Sequence, residues 1–385
     1  MSAPHVFLVA GEESGDRLGA ALIAALREQC GSDIRFSGVG GGAMAGQGMP
    51  SLFPLGELAI IGFAAILARL PQILARIRQT ADAVIAAKPD VLVIIDSPEF
   101  THRVARRVRA RAPQIRIVDY VCPTVWAWRP GRARAMHGYI DHVLALLPFE
   151  PAALSQLGGP SSTYVGHPLL EQLHLLRPDA VEAQRRLADP PRILAMPGSR
   201  SAEIRRLAAD FGGALGELAA RVGPLDVVVP AVPRLAAAVE AAVAVWPLPA
   251  KVVTDPAEKY AAFRTARAAL VKSGTSTLEV ALAGVPMIGA YRVTLLEELA
   301  VRALVNTHSA LLTNIILGEN VIPELHQRDC NPKRLAAAML PLLSDTPERR
   351  RQTDAFARLD AIMGGGQGGP AARAAAVVLD YARRA

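Results

Sequence analysis

Two residues stand where a strand hands over to a polar turn and could do chemistry. Asp96 ends the β-branched run Val91-Leu92-Val93-Ile94-Ile95. Such a run reads as a parallel strand buried on both faces. A carboxylate at its carboxyl tip points to the crevice where open α/β sheets bind ligands, and a general base belongs there. The competing role is capping the next helix, expected over Thr101–Ala112. Arg200 stands in Pro197-Gly198-Ser199-Arg200, a glycine turn after the run Arg192–Met196. Its planar guanidinium suits a forked contact with a diphosphate, with Ser199 beside it. An ion pair with Glu203 is the alternative.

A second turn repeats the pattern. Ala268–Lys272 reads as a strand, Ser273-Gly274-Thr275-Ser276-Thr277 as a hydroxyl-rich turn, and the following helix stops at Gly284. Pro286–Tyr291 is the next strand. Unpaired N–H groups at the helix start favour a phosphate. Glu279 could hold a ribose diol or close a capping box with Ser276. Asn314 and Gln327 carry amides suited to a base or sugar edge, or to ordinary caps.

The first half offers more polar turns. Gly11-Glu12-Glu13-Ser14-Gly15-Asp16 follows the strand His5–Ala10, with Asp16 expected as an N-cap. Gly40-Gly41-Gly42 permits a close backbone approach, or forms a plain loop. Trp126 and Trp128, in Cys122-Pro123-Thr124-Val125-Trp126-Ala127-Trp128-Arg129, either line a sugar or lipid site or wedge the core. His167, in Gly166-His167-Pro168, stands at an expected interdomain crossing. From Leu58 to Ile77, apolar Ile66, Leu67, Leu70 and Leu74 share a helix with Arg69 and Arg76, with a kink or break expected at Pro71. That helix either faces the core or lies in a membrane surface with its arginines on lipid phosphates.

The elements behind these turns alternate strand and helix in both halves. With 385 residues and 51% apolar composition, the chain is expected to form two α/β domains. They are placed at 1–170 and 171–345, with a helical tail at 346–385. Three scattered cysteines argue for a reducing compartment and against a disulfide framework. Neither a signal peptide nor a transmembrane span is expected. The net charge of +7 is concentrated between Arg69 and Arg134. Without a nucleic-acid module, nucleic acid ranks last among anionic partners. No metal-ligand spacing is evident, so neither a metal nor another cofactor is expected.

In order, Gly11–Asp16, Ile95–Pro98, Pro123–Trp128, Leu147-Pro148-Phe149-Glu150, Gly166–Pro168, Pro197–Arg200 and Ser273–Thr275 resemble lipid-A-disaccharide synthase over nearly the whole chain. Cys122 stands where that family usually has serine. The resemblance implies a GT-B glycosyltransferase: two Rossmann-like domains facing across a cleft, with the last helices returning to the first. It implies inverting, metal-independent transfer from UDP-2,3-diacylglucosamine to 2,3-diacylglucosamine 1-phosphate. The products would be the β-1,6 disaccharide phosphate precursor of lipid A and UDP. Asp96 would be the base. Ser199, Arg200, Ser273, Gly274, Thr275, Ser276, Glu279 and Asn314 would hold the nucleotide. Glu13, Ser14, Trp126, Trp128 and His167 would meet the sugars. Ile66, Leu67, Arg69, Leu70, Leu74 and Arg76 would meet inner-membrane phospholipids, on the cytoplasmic face. A homodimer stays open. A UDP-sugar 2-epimerase of the same fold and a non-catalytic lipid-binding protein are the rival readings.

Overall fold

The computed structural model describes residues 3–31, 33–58, 63–294, 297–298, 307–364 and 368–384. The chain divides into two units, 1–170 with 365–385, and 171–364. Each holds a six-stranded, wholly parallel sheet.

In the first unit the strands are β1 (His5–Ala10), β2 (Arg35–Val39), β3 (Val91–Ile95), β4 (Arg116–Tyr120), β5 (His142–Ala145) and β6 (Ser162–Tyr164). Their order is β2-β1-β3-β4-β5-β6. The helices are α1 (Glu13–Cys30), α2 (Gly42–Gly46), α3 (Phe63–Ala87), α4 (Pro98–Arg111), α5 (Gly131–Met136) and α6 (Glu150–Gln156). Side chains of the central strands alternate between two cores. Phe7, Val9, Leu92 and Ile94 pack with Val104 and Val108 of α4. Val6, Leu8, Ala10, Val93 and Ile95 pack with Leu22 and Leu26 of α1, and with Val378 and Leu379 of the helix Pro370–Arg383. Burial on both faces is why β3, and β1 after His5, are apolar throughout.

The second unit contains β7 (Arg192–Met196), β8 (Asp226–Pro230), β9 (Ala250–Val253), β10 (Ala268–Lys272), β11 (Met287–Tyr291) and β12 (Glu324–His326). Their order is β12-β11-β10-β7-β8-β9. β7 and β10 are neighbours, so their carboxyl ends carry adjacent turns. The Ser201–Val222 helix buries Ile204, Leu207, Phe211 and Leu215 over one face of this sheet.

The expected tail divides. The helix Pro347–Met363 stays with the second unit, where Gln352 bonds the backbone of Met287 at 2.7 and 3.0 Å. Only the Pro370–Arg383 helix belongs to the first. Nor does Pro71 split its helix, since α3 is continuous from Phe63 to Ala87.

Candidate active site

Asp96 sits just past β3, and its N–H reaches the carbonyl of Tyr120 on β4 (3.1 Å). Asp96 and Ser97 both have positive φ, 54° and 46°. Consecutive left-handed residues cost roughly 1 kcal/mol each and mark a turn held by its surroundings. Gly11 is part of that hold, since a Cβ there would lie 2.5 Å from Cβ of Ser97. The Asp96 carboxylate accepts from its neighbour's N–H (Ser97, 2.7 Å) and from Ser14 Oγ (3.3 Å). Ser97, not Asp96, is the N-cap of α4, and Asp96 stays partly exposed. The β1 and β3 turns thus bring Ser14 and Asp96 together.

Asp96 opens into a pocket of about 300 Å³, also lined by His102, Cys122, Trp128 and Arg132. His102 lies 3.1 Å from Asp119 through Nε2 and 3.0 Å from the Tyr139 hydroxyl through Nδ1. The Tyr139 hydroxyl also accepts from Arg106 (3.2 Å). Both ring nitrogens of His102 are thus engaged within the protein. Burial raises the proton affinity of Asp119, against the attraction of His102.

The two tryptophans divide their work. Trp128 lines the Asp96 pocket, with the Arg129 guanidinium 4.3 Å from its ring centre. Trp126 stacks edge-on against Phe149 (4.9 Å) and donates through Nε1 to Glu150 (3.1 Å). Glu150 also accepts the N–H groups of Leu146 (3.1 Å) and Leu147 (2.9 Å). Burial pushes its carboxyl up to about 7 despite these three donors. The sequence motif contained Glu150, but its grip on the tryptophan loop was not foreseen.

Glu13 is exposed in the first turn of α1 and lines a neighbouring recess of about 480 Å³ with Gly40, Gly41 and Gly42. Asp16 does not cap its own helix. It accepts from Gly41 (2.7 Å), Ala43 (2.8 Å) and Met44 (3.1 Å), capping α2 instead. His167 accepts the N–H of Leu169 (3.2 Å), and burial lowers its pKa to about 4, leaving the ring neutral. It secures the turn after β6.

In the second unit, Glu203 gathers the Ser199–Arg200 turn and Lys272. Its carboxylate accepts from Ser199 N (2.9 Å), Arg200 N (3.3 Å), Arg200 Nη1 (3.1 Å) and Lys272 Nζ (2.9 Å). Burial opposes its charge, but Lys272, the Ser199 amide and Arg200 hold its carboxyl below the usual range. The ion pair leaves the Arg200 side chain 76% exposed. Within the hydroxyl turn, Ser273 donates to Ala310 O and Thr277 to Gly274 O, each at 2.7 Å. Gly274, Thr275 and Ser276 keep surface exposure. The helix begins at Ser276 with no side-chain cap, so the capping box does not form. Glu279 pairs with Lys259 (2.6 Å) instead.

Three of the expected binding side chains are engaged within the protein. Asn314 is fully buried, with its amide spent on Val321, Ile322 and Glu324. It fixes the loop at Val321 and Ile322. Gln327 is likewise tied to Val293 and Glu298. Arg76 pairs with Glu57 (2.7 Å) and covers the Phe53 ring (4.7 Å), so it is not a free cation for lipid. Leu74 packs partly against the core, while Leu70 is 40% exposed. The side chains of Ile66, Leu67 and Arg69 lie outside the described residues. Among the described residues no helix is long and apolar enough to cross a membrane, and no cluster of metal ligands occurs. A larger recess of about 800 Å³, lined by Pro191, Pro224 and Arg267, opens at the amino ends of β7, β8 and β10. That is the wrong edge for an open α/β site.

A family model described as lipid-A-disaccharide synthetase matches residues 6–367. The chain is 58% identical over 379 residues to the lipid-A-disaccharide synthase of Nitrobacter hamburgensis, covering 98% of this chain and 96% of that protein. It is 44% identical to the namesake from Rhodospirillum centenum, covering 97% and 94%. Among solved structures it resembles MurG of Acinetobacter baumannii (TM-score 0.60, 17% identity, 98% and 99% covered). A putative UDP-N-acetylglucosamine 2-epimerase from Listeria monocytogenes is similarly related (TM-score 0.62, 13% identity, 99% and 97% covered). At such identities these two likenesses speak for the GT-B fold alone.

Proposed function

The chain belongs to the lipid-A-disaccharide synthetase family, and from that premise we propose how its residues carry out the family's reaction. It is a glycosyltransferase of lipid A disaccharide synthesis that takes a UDP-sugar and a lipid substrate. The donor in our reading is UDP-2,3-diacylglucosamine and the acceptor is 2,3-diacylglucosamine 1-phosphate.

Asp96 takes the proton from the acceptor hydroxyl. That oxygen attacks the anomeric carbon as the bond to the diphosphate oxygen breaks, and the bonding pair leaves with UDP. One displacement inverts the centre. The observation that carries this reading is the Asp96 turn: a partly exposed carboxylate, fixed by Ser14 and Ser97, at the tip of a central strand. Arg200, Ser199 and the Gly274–Ser276 turn hold the departing diphosphate, and Glu279 takes the ribose. The exposed Arg200 head supports the first role. A preorganised donor to the leaving charge is worth about 3 kcal/mol in the transition state. Glu13, Ser14 and Trp128 border the acceptor sugar. In our reading the chain meets inner-membrane phospholipid on the cytoplasmic face, with Leu70 at the contact.

The test is incubation with both radiolabelled substrates. Equimolar disaccharide phosphate and UDP are expected. An epimerised sugar nucleotide, or inertness with intact UDP binding, would overturn the reading.

A further inference from the structure

Among the cations of the second unit, Lys272 is given no task by the reaction as written above. It is the last residue of β10, one position before the hydroxyl turn. Its side chain is 16% exposed, and its ammonium lies 2.9 Å from Glu203 Oε1. The same oxygen receives Arg200 Nη1 at 3.1 Å. One carboxylate therefore gathers two cations, one from the end of β10 and one from the turn after β7. The ammonium also lies under the turn itself, only 3.6 Å from where a Cβ on Gly274 would be. The Tyr291 ring centre lies 5.5 Å from the ammonium.

An ammonium has three N–H donors and Glu203 engages one. A guanidinium has five, and Arg200 spends one on the same carboxylate. Both cations can keep Glu203 and still donate elsewhere. A leaving diphosphate needs its charge met by such donors.

We propose that Lys272 is a second diphosphate-binding cation, held beneath the Gly274 turn by Glu203 and acting with Arg200 on the departing UDP. This rests on the reading that the nucleotide binds at the carboxyl ends of β7 and β10. Lys272 would touch phosphate oxygen, whereas Glu203 acts through Lys272 and Arg200 as a positioning residue.

The experiment compares uridine, UMP and UDP by isothermal titration calorimetry on the full chain, as wild type, Lys272→Met and Lys272→Arg. For Lys272→Met the UDP Kd should rise about 10-fold, the size expected for a lost charge-assisted contact. The uridine Kd should stay within about twofold, and Lys272→Arg should recover most of the UDP affinity. A UDP Kd unchanged in Lys272→Met would overturn the proposal. So would an equal loss for uridine and UDP, which would mark Lys272 as a structural partner of Glu203. Should Lys272→Met fail to fold, Lys272→Gln carries the same comparison, judged by the same two outcomes. If wild type itself does not bind UDP, the underlying nucleotide reading fails; if it binds and the Met or Gln variant binds equally well, only this inference fails.

Discussion

Asp96 owes its placement to backbone more than to side-chain contacts. Two left-handed residues, the amide of Ser97 and the tight approach of Gly11 set the direction of its carboxylate. Asp96→Asn preserves this geometry and removes the basic oxygen. Turnover should fall at least about 100-fold while UDP affinity and melting temperature hold. Steady-state kinetics beside calorimetry would check it, and near-normal turnover would remove Asp96 from the role. Glu150 makes a different kind of prediction. Its carboxyl titrates near 4.5 when free and near 7 in the fold. The folded state keeps the proton longer, so stability falls as pH rises between those values. Glu150→Gln should flatten that decline, by on the order of 3 kcal/mol, in denaturant melts run across the same range. The place of Asp96 just past β3 was legible because the apolar run before it announces a strand tip locally. Asn314 was not, because what occupies it are the amides of Val321 and Ile322, joined by a turn the sequence does not mark.

At the level of elements, apolar runs of four or five residues were enough to find β1, β3, β7 and β10. Doubly buried parallel strands leave that signature. β6 and β12 have three residues each and are largely half-exposed at the sheet edges, so no run betrays them. Capping was harder to read, because a cap can come from far along the chain. Asp16 stands in α1 yet closes the start of α2, 25 to 28 residues on. Asp16→Ala strips an acceptor from three buried or half-buried amides. A stability loss of about 2 kcal/mol is expected in urea melts, with the recess that Glu13 and Gly41 share losing its shape. Asp16→Asn should lose less, since it keeps one acceptor oxygen. Equal losses would mean that charge, not geometry, holds α2.

Across the whole molecule, each sheet has its own buried core and its own helices, but one helix breaks the order of the chain. Pro370–Arg383 inserts Ala374, Ala375, Val378 and Leu379 into the core of the first unit, 200 residues beyond the last strand of that unit's main segment. Val378→Asp buries an unpaired charge there and should destabilise that unit by several kcal/mol. Hydrogen exchange should accelerate in β1–β5 and stay unchanged in β7–β11; uniform acceleration would mean that the two cores melt as one. The same helix reverses the usual timetable of synthesis, in which the leading domain is finished first. The segment 171–364 can complete its own interior while α1 and β3 still wait on the ribosome for a covering partner. A premature stop shortly after Gly364 would therefore spare the portion made later and cripple the portion made earliest.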